Sequence, residues 1–239
     1  MSLLSIVIPV YNEERTLEKI IDLIHSGPIK DFEIIVVDDK STDDSRKIAT
    51  KLFRQAKIDR LFFKKLNGGK GSALKIGFKL AKGEIVIIQD ADLEYDPYDY
   101  ARLILPITQD RADVVYGSRF TGSQPHRVLY FWHYVANMLL TIWSNIFTNL
   151  NLTDMETGYK VFKREVIQSI NLEERSFGIE PEITAKLSQM NLRIYEVGAS
   201  YHGRTYNEGK KIQLKDFFIA LWAVVKYSRL GQTFLGKSV

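Results

Sequence analysis

Two acidic residues separated by a single alanine, Asp90 and Asp92, directly follow the apolar run 85–89. A run rich in β-branched residues that follows a glycine is typical of a buried strand, and ligands of open α/β sheets bind beyond the carboxyl ends of such strands. Carboxylates two positions apart on an extended segment point the same way. Oxygen-only ligation suits Mg²⁺ or Mn²⁺, which complete their coordination with water and substrate phosphate. An isolated pair of this kind is more often a solvated strand end, so the metal-site prediction depends on what surrounds it.

Residues with chemical potential also follow other predicted strands. Asp38 ends the run 32–38 and Asp39 follows it. Such adjacent acids repel one another unless a cation or a hydrogen-bond donor, such as a base N–H or a ribose hydroxyl, lies beside them. Lys70 is flanked by glycines at a predicted helix start, which resembles an anion site made of backbone N–H groups and a positive charge. The segment is not a Walker A loop, because Gly71 stands after the lysine where that motif has Ser or Thr.

Strand and helix patterns alternate four times in the first half of the chain, which is typical of a mostly parallel sheet covered by helices. In the segment after the first strand, Pro9, Tyr11 and Glu13 either lie beside a base and ribose or form a turn in which Asn12 caps a helix. Each candidate residue follows a strand's carboxyl end, which favours one shared site. Strands are predicted at 5–9, 32–38, 60–64, 85–89 and 113–117, and helices open near Asn12, Ser41, Ser72 and Pro97.

Composition bounds the class of protein. The 239 residues, 45% hydrophobic and 26% charged, are ordinary for one globular domain with a sizeable core. The net charge of +4 permits an anionic substrate or a membrane surface but falls short of a nucleic-acid signature. The absence of cysteine excludes disulfides, zinc–thiolate sites and thiol catalysis. We expect neither a signal peptide nor a transmembrane helix, since no stretch of about 20 apolar residues occurs.

Five segments resemble the ordered motifs of family 2 inverting glycosyltransferases of the GT-A fold. They are 9–14, 37–39, 69–71, 90–92 and 117–120. The chain looks most like the branch that contains dolichol-phosphate mannose synthases and dolichol-phosphate glucosyltransferases. The resemblance implies an α/β, Rossmann-like, mostly parallel sheet flanked by helices, with a helical or irregular C-terminal acceptor region. It implies one domain over 1–239, with a nucleotide-sugar-binding half at 1–120 and an acceptor half at 121–239.

The resemblance further implies a nucleotide-sugar donor whose diphosphate is held by Mg²⁺ or Mn²⁺, and inversion by direct displacement. Asp90 and Asp92 are implied as metal ligands and catalytic residues. The leaving diphosphate gains negative charge, which a metal and pre-placed cations stabilise. The candidate cations are Lys70, Arg119, Arg204 and Lys211, each of which is otherwise a solvated surface charge. The implied donor-binding residues are Pro9, Tyr11, Glu13, Asp38, Asp39, Lys70, Gly71, Asp90, Ala91, Asp92, Arg119, Arg204 and Lys211.

The acceptor is less constrained. Segments 154–160, 177–183 and 204–212 resemble the lipid-phosphate branch, with lysine at 210 where a serine is more usual. A sugar-hydroxyl acceptor must lose a proton to a positioned base, for which the carboxylates at 154, 156, 180 and 182 are candidates, with Asp154 and Glu182 preferred. A phosphate monoester is already largely ionised near neutral pH and needs cations instead, which the basic segment 204–211 favours.

Two apolar segments bear on a membrane. Residues 128–153 hold no Asp, Glu, Lys or Arg and are rich in aromatics, which indicates either a core helix or a helix at a membrane interface. The run 217–225 has basic flanks and is too short to span a bilayer. It suits peripheral attachment, a buried terminal helix, or a contact between copies in a homo-oligomer.

The favoured hypothesis is transfer from a nucleotide sugar, a UDP-sugar rather than GDP-mannose, to a polyprenyl phosphate at the cytoplasmic face of a membrane. The first alternative is transfer to a sugar hydroxyl in cell-surface polysaccharide synthesis. The second is a non-catalytic nucleotide-sugar-binding subunit. No nucleic-acid partner is predicted.

Overall fold

Strands and helices alternate along the computed structural model, which describes residues 3–122, 127–128, 130–204 and 214–236. The strands are β1 (Leu4–Val10), β2 (Phe32–Asp38), β3 (Arg60–Phe63), β4 (Ile85–Ile88), β5 (Val114–Ser118), β6 (Lys160–Lys163) and β7 (Ile194–Gly198). The helices are α1 (Leu17–Ser26), α2 (Ser45–Arg54), α3 (Lys70–Leu80), α4 (Tyr100–Thr108), α5 (Phe131–Thr148), α6 (Arg164–Ser169), α7 (Ile179–Leu187), α8 (Leu214–Tyr227) and α9 (Arg229–Phe234). A short 3₁₀ turn, Pro97–Asp99, precedes α4.

The strands form one sheet in the order β3-β2-β1-β4-β6-β5-β7. Every neighbouring pair is parallel except those that involve β6, which runs antiparallel to β4 and to β5. The predicted mostly parallel sheet flanked by helices is therefore confirmed. Because β6 is reversed, its first residue, Lys160, pairs with Tyr116 near the end of β5. The loop that precedes β6 thus reaches the same edge of the sheet as the carboxyl ends of the parallel strands.

Both faces of the sheet are covered by helices. Along β1, Leu4, Ile6 and Ile8 face a core layer that contains residues of α1, α2 and α4. Val7 of the same strand faces the opposite layer, which contains residues of α3, α6, α7 and α8. Burial on both faces explains why the central strands are continuous apolar runs rather than alternating ones.

The start of α1 differs from the sequence prediction. Asn12 does not cap a helix; α1 begins at Leu17, after Thr16. Asn12 has a left-handed backbone (φ 58°), and its Oδ1 accepts a hydrogen bond from the backbone N–H of Thr42 (2.8 Å). The side chain that was expected to cap the helix therefore binds a distant loop, a contact that local sequence patterns do not reveal.

The last helices pack against α5 on one side of the molecule. The indole Nε1 of Trp143 donates to the backbone carbonyl of Leu221 (3.2 Å), which joins α5 to α8. Within the described part of the chain, none of the helices combines the length and apolar character needed to cross a membrane.

Candidate active site

Two ion pairs lie where β4 ends. Asp90 pairs with the ammonium group of Lys70 (2.9 Å), and Asp92 pairs with the guanidinium group of Arg204 (2.8 Å). Both carboxylates are mostly buried, with 20% and 15% of their side-chain surfaces exposed. The structure therefore brings together four of the residues that the sequence placed in one site. Ala91, between the two acids, is buried and packs in the core, so only its backbone is available to a ligand.

Negative charge is concentrated around Asp92. Burial, followed by the neighbouring carboxylates of Asp90 and Glu94, raises the pKa of Asp92 to about 7, although Arg204 opposes the shift. Arg204 also approaches Glu94 (3.3 Å), so it divides its charge between two acids. A further positive charge at this point would stabilise the cluster.

Lys70 is held between two carboxylates. Its ammonium group lies 2.9 Å from Asp90 and 2.9 Å from Glu180, the second residue of α7. These acids, above all Asp90, hold the pKa of Lys70 well above its usual value although burial lowers it. Lys70 is therefore a fixed cation at the edge of the acid cluster.

The glycines around Lys70 are required by packing. Gly69 has a left-handed backbone (φ 83°), and a Cβ there would lie 2.5 Å from the carbonyl of Arg175. A Cβ on Gly71 would lie 2.7 Å from the carbonyl of Glu174. The backbone N–H of Gly69 donates to Asp39 (2.6 Å). The positive element that this turn directs towards Asp90 is thus the Lys70 side chain.

The predicted nucleoside-binding residues lie at the ends of β1 and β2. Pro9 is the penultimate residue of β1, and Tyr11, just beyond it, is half exposed (49%). Glu13 accepts a hydrogen bond from Thr16 (2.6 Å). Burial raises the pKa of Glu13, and this effect outweighs the hydrogen bond and the charge of Arg204. Contact of these residues with a nucleoside stays a prediction.

The carboxylates of Asp38 and Asp39 are engaged within the protein. Asp38 is fully buried and pairs with Arg46 (2.9 Å). Asp39 pairs with Lys64 and accepts the N–H of Gly69. These contacts tie the loop after β2 to α2 and to the glycine turn. The repulsion expected between the two adjacent acids is therefore balanced by a separate cation for each of them.

Arg119 and Asp154, which the sequence assigned to different roles, are partners. Two hydrogen bonds of 2.6 Å join the guanidinium to the carboxylate, and Asn137 on α5 donates to the same carboxylate (3.1 Å). Asp154 is fully buried. The pair fastens the end of β5 to the loop before β6.

Glu182 is not brought to this cluster. It is fully buried and accepts the backbone N–H groups of Glu173 and Glu174 (2.7 Å each), and it pairs with Lys186 (2.7 Å). Glu180, two positions earlier, is the residue that reaches Lys70. Residues two apart on a helix face different directions. The spacing of Glu180 and Glu182 on a predicted helix therefore indicates that only one of them can face the site. Lys211 lies outside the described residues.

The loop before β6 passes directly beside Asp90. A Cβ on Gly158 would lie 2.5 Å from Asp90 Oδ2 and 2.9 Å from the ring of Tyr95. The hydroxyl of Tyr95 accepts the N–H of Gly158 (2.9 Å). A side chain at this position would require Asp90 or Tyr95 to shift, so Gly158 brings the loop before β6 to the border of the site.

The helix α5 buries polar side chains and exposes apolar ones, the reverse of the usual arrangement. The buried positions of α5 include Thr141, Ser144 and Thr148, whereas apolar side chains such as Ile146 (60%) and Trp132 (75%) are exposed. The outer side of α8 and α9 continues this surface. We call it the apolar face; its large exposed side chains are Phe131, Trp132, Tyr134, Met138, Leu139, Ile142, Ile146, Phe218, Ile219, Trp222, Leu230 and Phe234.

The profile of glycosyl transferase family 2 matches residues 5–170. The chain belongs to glycosyl transferase family 2. The predicted family is therefore confirmed, and the acid cluster, the glycine turn and Arg119 all lie within the matched residues.

Relatives of this family 2 chain include enzymes named for hexosyl transfer. It is 27% identical over 205 residues to the low-salt glycan biosynthesis hexosyltransferase Agl6 of Haloferax volcanii, an alignment that covers 84% of the chain but only 48% of Agl6. It is 26% identical over 213 residues to the undecaprenyl-phosphate mannosyltransferase of Micrococcus luteus, with 85% of each covered. The chain thus spans about half the length of the first relative and most of the second.

The fold has close counterparts among solved structures. Glucosyl-3-phosphoglycerate synthase of Mycobacterium tuberculosis, crystallised with Mn²⁺, uridine diphosphate and glucosyl-3-phosphoglycerate, superposes with a TM-score of 0.73. The superposition covers 100% of this family 2 chain and 81% of the synthase, at 19% sequence identity. At that identity the likeness shows the fold alone, and the predicted GT-A fold is confirmed.

Proposed function

We propose that this family 2 chain is a metal-assisted, inverting transferase that moves a sugar from a nucleotide sugar to a polyprenyl phosphate. The observation that carries the proposal is the convergence of Asp90, Asp92, Lys70 and Arg204 at the end of β4. Carboxylates and fixed cations in one place suit a substrate that brings both a metal ion and a diphosphate.

The residues at this point fit a divalent cation that arrives with the donor. Among the residues described, no three His, Asp or Glu side chains are grouped as a complete metal site. Two carboxylates leave coordination positions for phosphate oxygens, which is how Mg²⁺ and Mn²⁺ commonly bind nucleotides. Burial raises the pKa of Asp92, and the neighbouring carboxylates of Asp90 and Glu94 raise it further; a cation would offset the effect of these neighbours. Asp90 and Asp92 would hold the ion, whose chemistry is Lewis-acid stabilisation of charge on the leaving diphosphate.

The chain's own cations would also stabilise the negative charge that develops on the leaving diphosphate. Lys70 and Arg204 are each held beside two carboxylates, which keeps both cations close to where the diphosphate would bind. We propose a UDP-sugar as the donor in preference to GDP-mannose. The name of the Micrococcus relative keeps a mannosyl donor in the panel to be tested.

The state of the candidate bases favours a phosphate acceptor. Asp154 is bound by Arg119 and Glu182 by Lys186, so the carboxylates of both residues are already engaged within the protein. A phosphate acceptor needs no base because it is already ionised. The acceptor in the name of the Micrococcus relative, undecaprenyl phosphate, agrees with this choice.

The apolar face supports peripheral attachment to a membrane. The helix α5 buries polar residues and exposes the apolar side chains of Trp132 and Ile146 to solvent, which is unfavourable in water. Extended exposed apolar surfaces of this kind mark interaction sites. A lipid-linked acceptor would be met at this surface. We propose the cytoplasmic side, with which the absence of cysteine is compatible.

The test is transfer of radiolabelled sugar to undecaprenyl phosphate in vesicles that contain anionic lipid, with UDP-glucose, UDP-galactose and GDP-mannose as donors. Label that becomes extractable into organic solvent, with Mn²⁺ or Mg²⁺ required, is the expected result. The Asp90→Asn, Asp92→Asn double variant serves as the inactive control. Label that enters only water-soluble glycan would contradict the proposed acceptor, and the absence of any transfer would contradict the activity.

A further inference from the structure

The loop before β6 is anchored on both sides of Glu156. The ammonium group of Lys160, which is fully buried, donates to the carbonyl of Met155 (2.9 Å) and to the carbonyl of Thr157 (2.5 Å). These are the two residues that flank Glu156. Further along, the N–H of Gly158 donates to Tyr95. The backbone that carries Glu156 is therefore fixed in place before any ligand binds.

Glu156, in contrast to its neighbours in the loop, has a polar side-chain atom without a hydrogen-bond partner. Its Oε1 oxygen is buried and accepts no hydrogen bond from any residue that the structure describes. A buried polar atom without a partner destabilises a protein by about 1–3 kcal/mol. Such atoms are few in native proteins, and each calls for a specific explanation.

The position of Glu156 suggests what the missing partner is. Gly158, two residues away, touches Asp90 at the diphosphate end of the site. The charged groups that act on Glu156 are Glu180, Lys160, Arg119 and Asp154. Glu156 is thus within electrostatic reach both of Glu180, which pairs with Lys70 of the site, and of the Arg119–Asp154 pair. In a nucleotide sugar, the group that follows the diphosphate on the way to the acceptor is the sugar.

The local charge leaves Glu156 able to bind a neutral, hydroxyl-bearing group. Burial, followed by the carboxylate of Glu180, raises the pKa of Glu156 to about 8, against the lowering effect of Lys160 and Arg119. A carboxyl group in these surroundings gains from a hydroxyl partner, which satisfies the oxygen without adding negative charge. A phosphate group at the same place would be repelled by Glu180.

We propose that Glu156 determines sugar specificity by hydrogen bonding a hydroxyl group of the hexosyl residue that is transferred. This inference rests on the proposed function, since it requires a nucleotide-sugar donor with its diphosphate at Asp90. It assigns to the loop before β6 the choice of sugar, separately from the nucleotide-binding loops after β1 and β2.

The test compares ligands with and without the sugar. Binding of UDP-glucose and UDP, and of GDP-mannose and GDP, is measured by calorimetry with Mn²⁺ for the wild-type chain and for Glu156→Gln and Glu156→Ala. We expect Glu156→Ala to weaken binding of the cognate nucleotide sugar by about 10- to 100-fold, while binding of the free nucleoside diphosphate changes less than about twofold. Glu165→Gln, an exposed change on α6, is the matched control and should leave both affinities unchanged.

Deoxy forms of the cognate sugar identify the hydroxyl. One deoxy donor should bind the wild-type chain and Glu156→Ala equally well, because the interaction is already absent from the ligand. If Glu156→Ala weakens nucleoside diphosphate and nucleotide sugar alike, or neither, the assignment is overturned. If Glu156→Gln keeps full donor affinity but loses transfer by more than about a thousandfold, Glu156 is a base instead and the assignment is again overturned.

Failure of the proposed function is distinguishable from failure of this inference. In the first case the wild-type chain binds no nucleotide sugar of the panel. In the second case it binds a nucleotide sugar, but the Glu156 variants change the affinities for nucleotide sugar and for free nucleoside diphosphate to the same extent. The melting temperatures of Glu156→Ala and of the isosteric Glu156→Gln show whether weaker binding results from loss of the contact or from loss of folding.

Discussion

The guanidinium group of Arg119 and the carboxylate of Asp154 form a two-point ion pair, with both N–O distances at 2.6 Å. Asp154 is completely buried and Arg119 is 16% exposed. Paired donors and acceptors in this geometry are among the strongest hydrogen bonds in proteins. The two residues join the end of β5 to the loop before β6, so they form a structural joint beside the candidate site.

We expect Asp154→Asn to lower the free energy of unfolding by about 3–5 kcal/mol, because it leaves the buried guanidinium of Arg119 uncompensated. Urea denaturation measures the change, and Asp31→Asn, at an exposed position, is the control. Full stability together with a complete loss of sugar transfer would instead support Asp154 as a base.

Replacing Asp90 or Asp92 by asparagine should abolish the dependence of donor binding on Mn²⁺. Each change removes a charged oxygen ligand while the fold is kept. We expect the thermal stabilisation by UDP with Mn²⁺ to disappear, since a ligand raises apparent stability only when it binds. Asp22→Asn, at an exposed acid that pairs with Lys57, should behave like the wild-type chain. An undiminished shift in both variants would rule out a metal at these residues.

A methyl group at position 158 should disturb Asp90 directly. In Gly158→Ala the new Cβ would lie 2.5 Å from Asp90 Oδ2, so the carboxylate must move. We expect donor affinity to fall at least about tenfold. The comparison variant is Gly77→Ala, whose Cβ would lie 2.2 Å from Val7 in the core. It should lower stability by about 1–3 kcal/mol yet leave donor affinity of the folded protein intact; the reverse pattern would contradict the structure of this loop.

Glu33 should make stability depend on acid pH. Burial alone would raise its pKa, but hydrogen bonds from Ser5 and the N–H of Lys82 and the charge of Arg60 outweigh burial and lower it. A lowered folded-state pKa means that the stabilisation is present above the unfolded value, about 4.3, and is lost as the pH falls through the folded value.

Glu33→Gln should therefore lower the free energy of unfolding by about 1–3 kcal/mol at pH 7, and the difference from wild type should shrink towards pH 3. Urea titrations at pH 7, 5, 4 and 3 measure it. Glu18→Gln, at a pair exposed to solvent, should have an effect of at most about 0.5 kcal/mol. A difference that stays constant over this pH range would contradict the lowered pKa.

Charged substitutions on the apolar face should release the protein from membranes. Trp132→Asp and Ile146→Asp each remove a large exposed apolar side chain and add a charge that the bilayer rejects. We expect each to weaken binding to vesicles of phosphatidylglycerol and phosphatidylcholine by about tenfold or more. Phe53→Asp, at an exposed position on α2, is the control. Equal binding of all three variants would exclude this face as the attachment surface.

The alternation of strands and helices could be predicted because each central strand is apolar on both faces. The run 32–38 was predicted with the bounds that β2 has, and the charge-free segment 128–153 contains α5. The start of α1 could not be, since Asn12 is bound by Thr42, far along the chain. The strand β6 was also missed, because four residues with lysine at each end show neither alternation nor an apolar run.

The acid cluster could likewise be predicted from strand ends, but its partners could not. That Lys70 and Asp90 lie at the same edge of the sheet follows from the parallel direction of β3 and β4, whereas the approach of Glu180 depends on how α7 packs. Asp38 and Asp39 illustrate the same limit. Their carboxylates are neutralised by Arg46 and Lys64, whose positions relative to the acids depend on tertiary structure rather than on spacing.

The reversed strand β6 has a consequence for how the molecule is assembled. It is the only link in the hydrogen-bond ladder between β3-β2-β1-β4 on one side and β5-β7 on the other, within the sheet that the structure describes. A nascent chain that has left the ribosome only as far as β5 has an open edge on β4, and such edges recruit other strands. The first 120 residues made alone should therefore self-associate, and translation must pass residue 163 before the two sheet fragments can join.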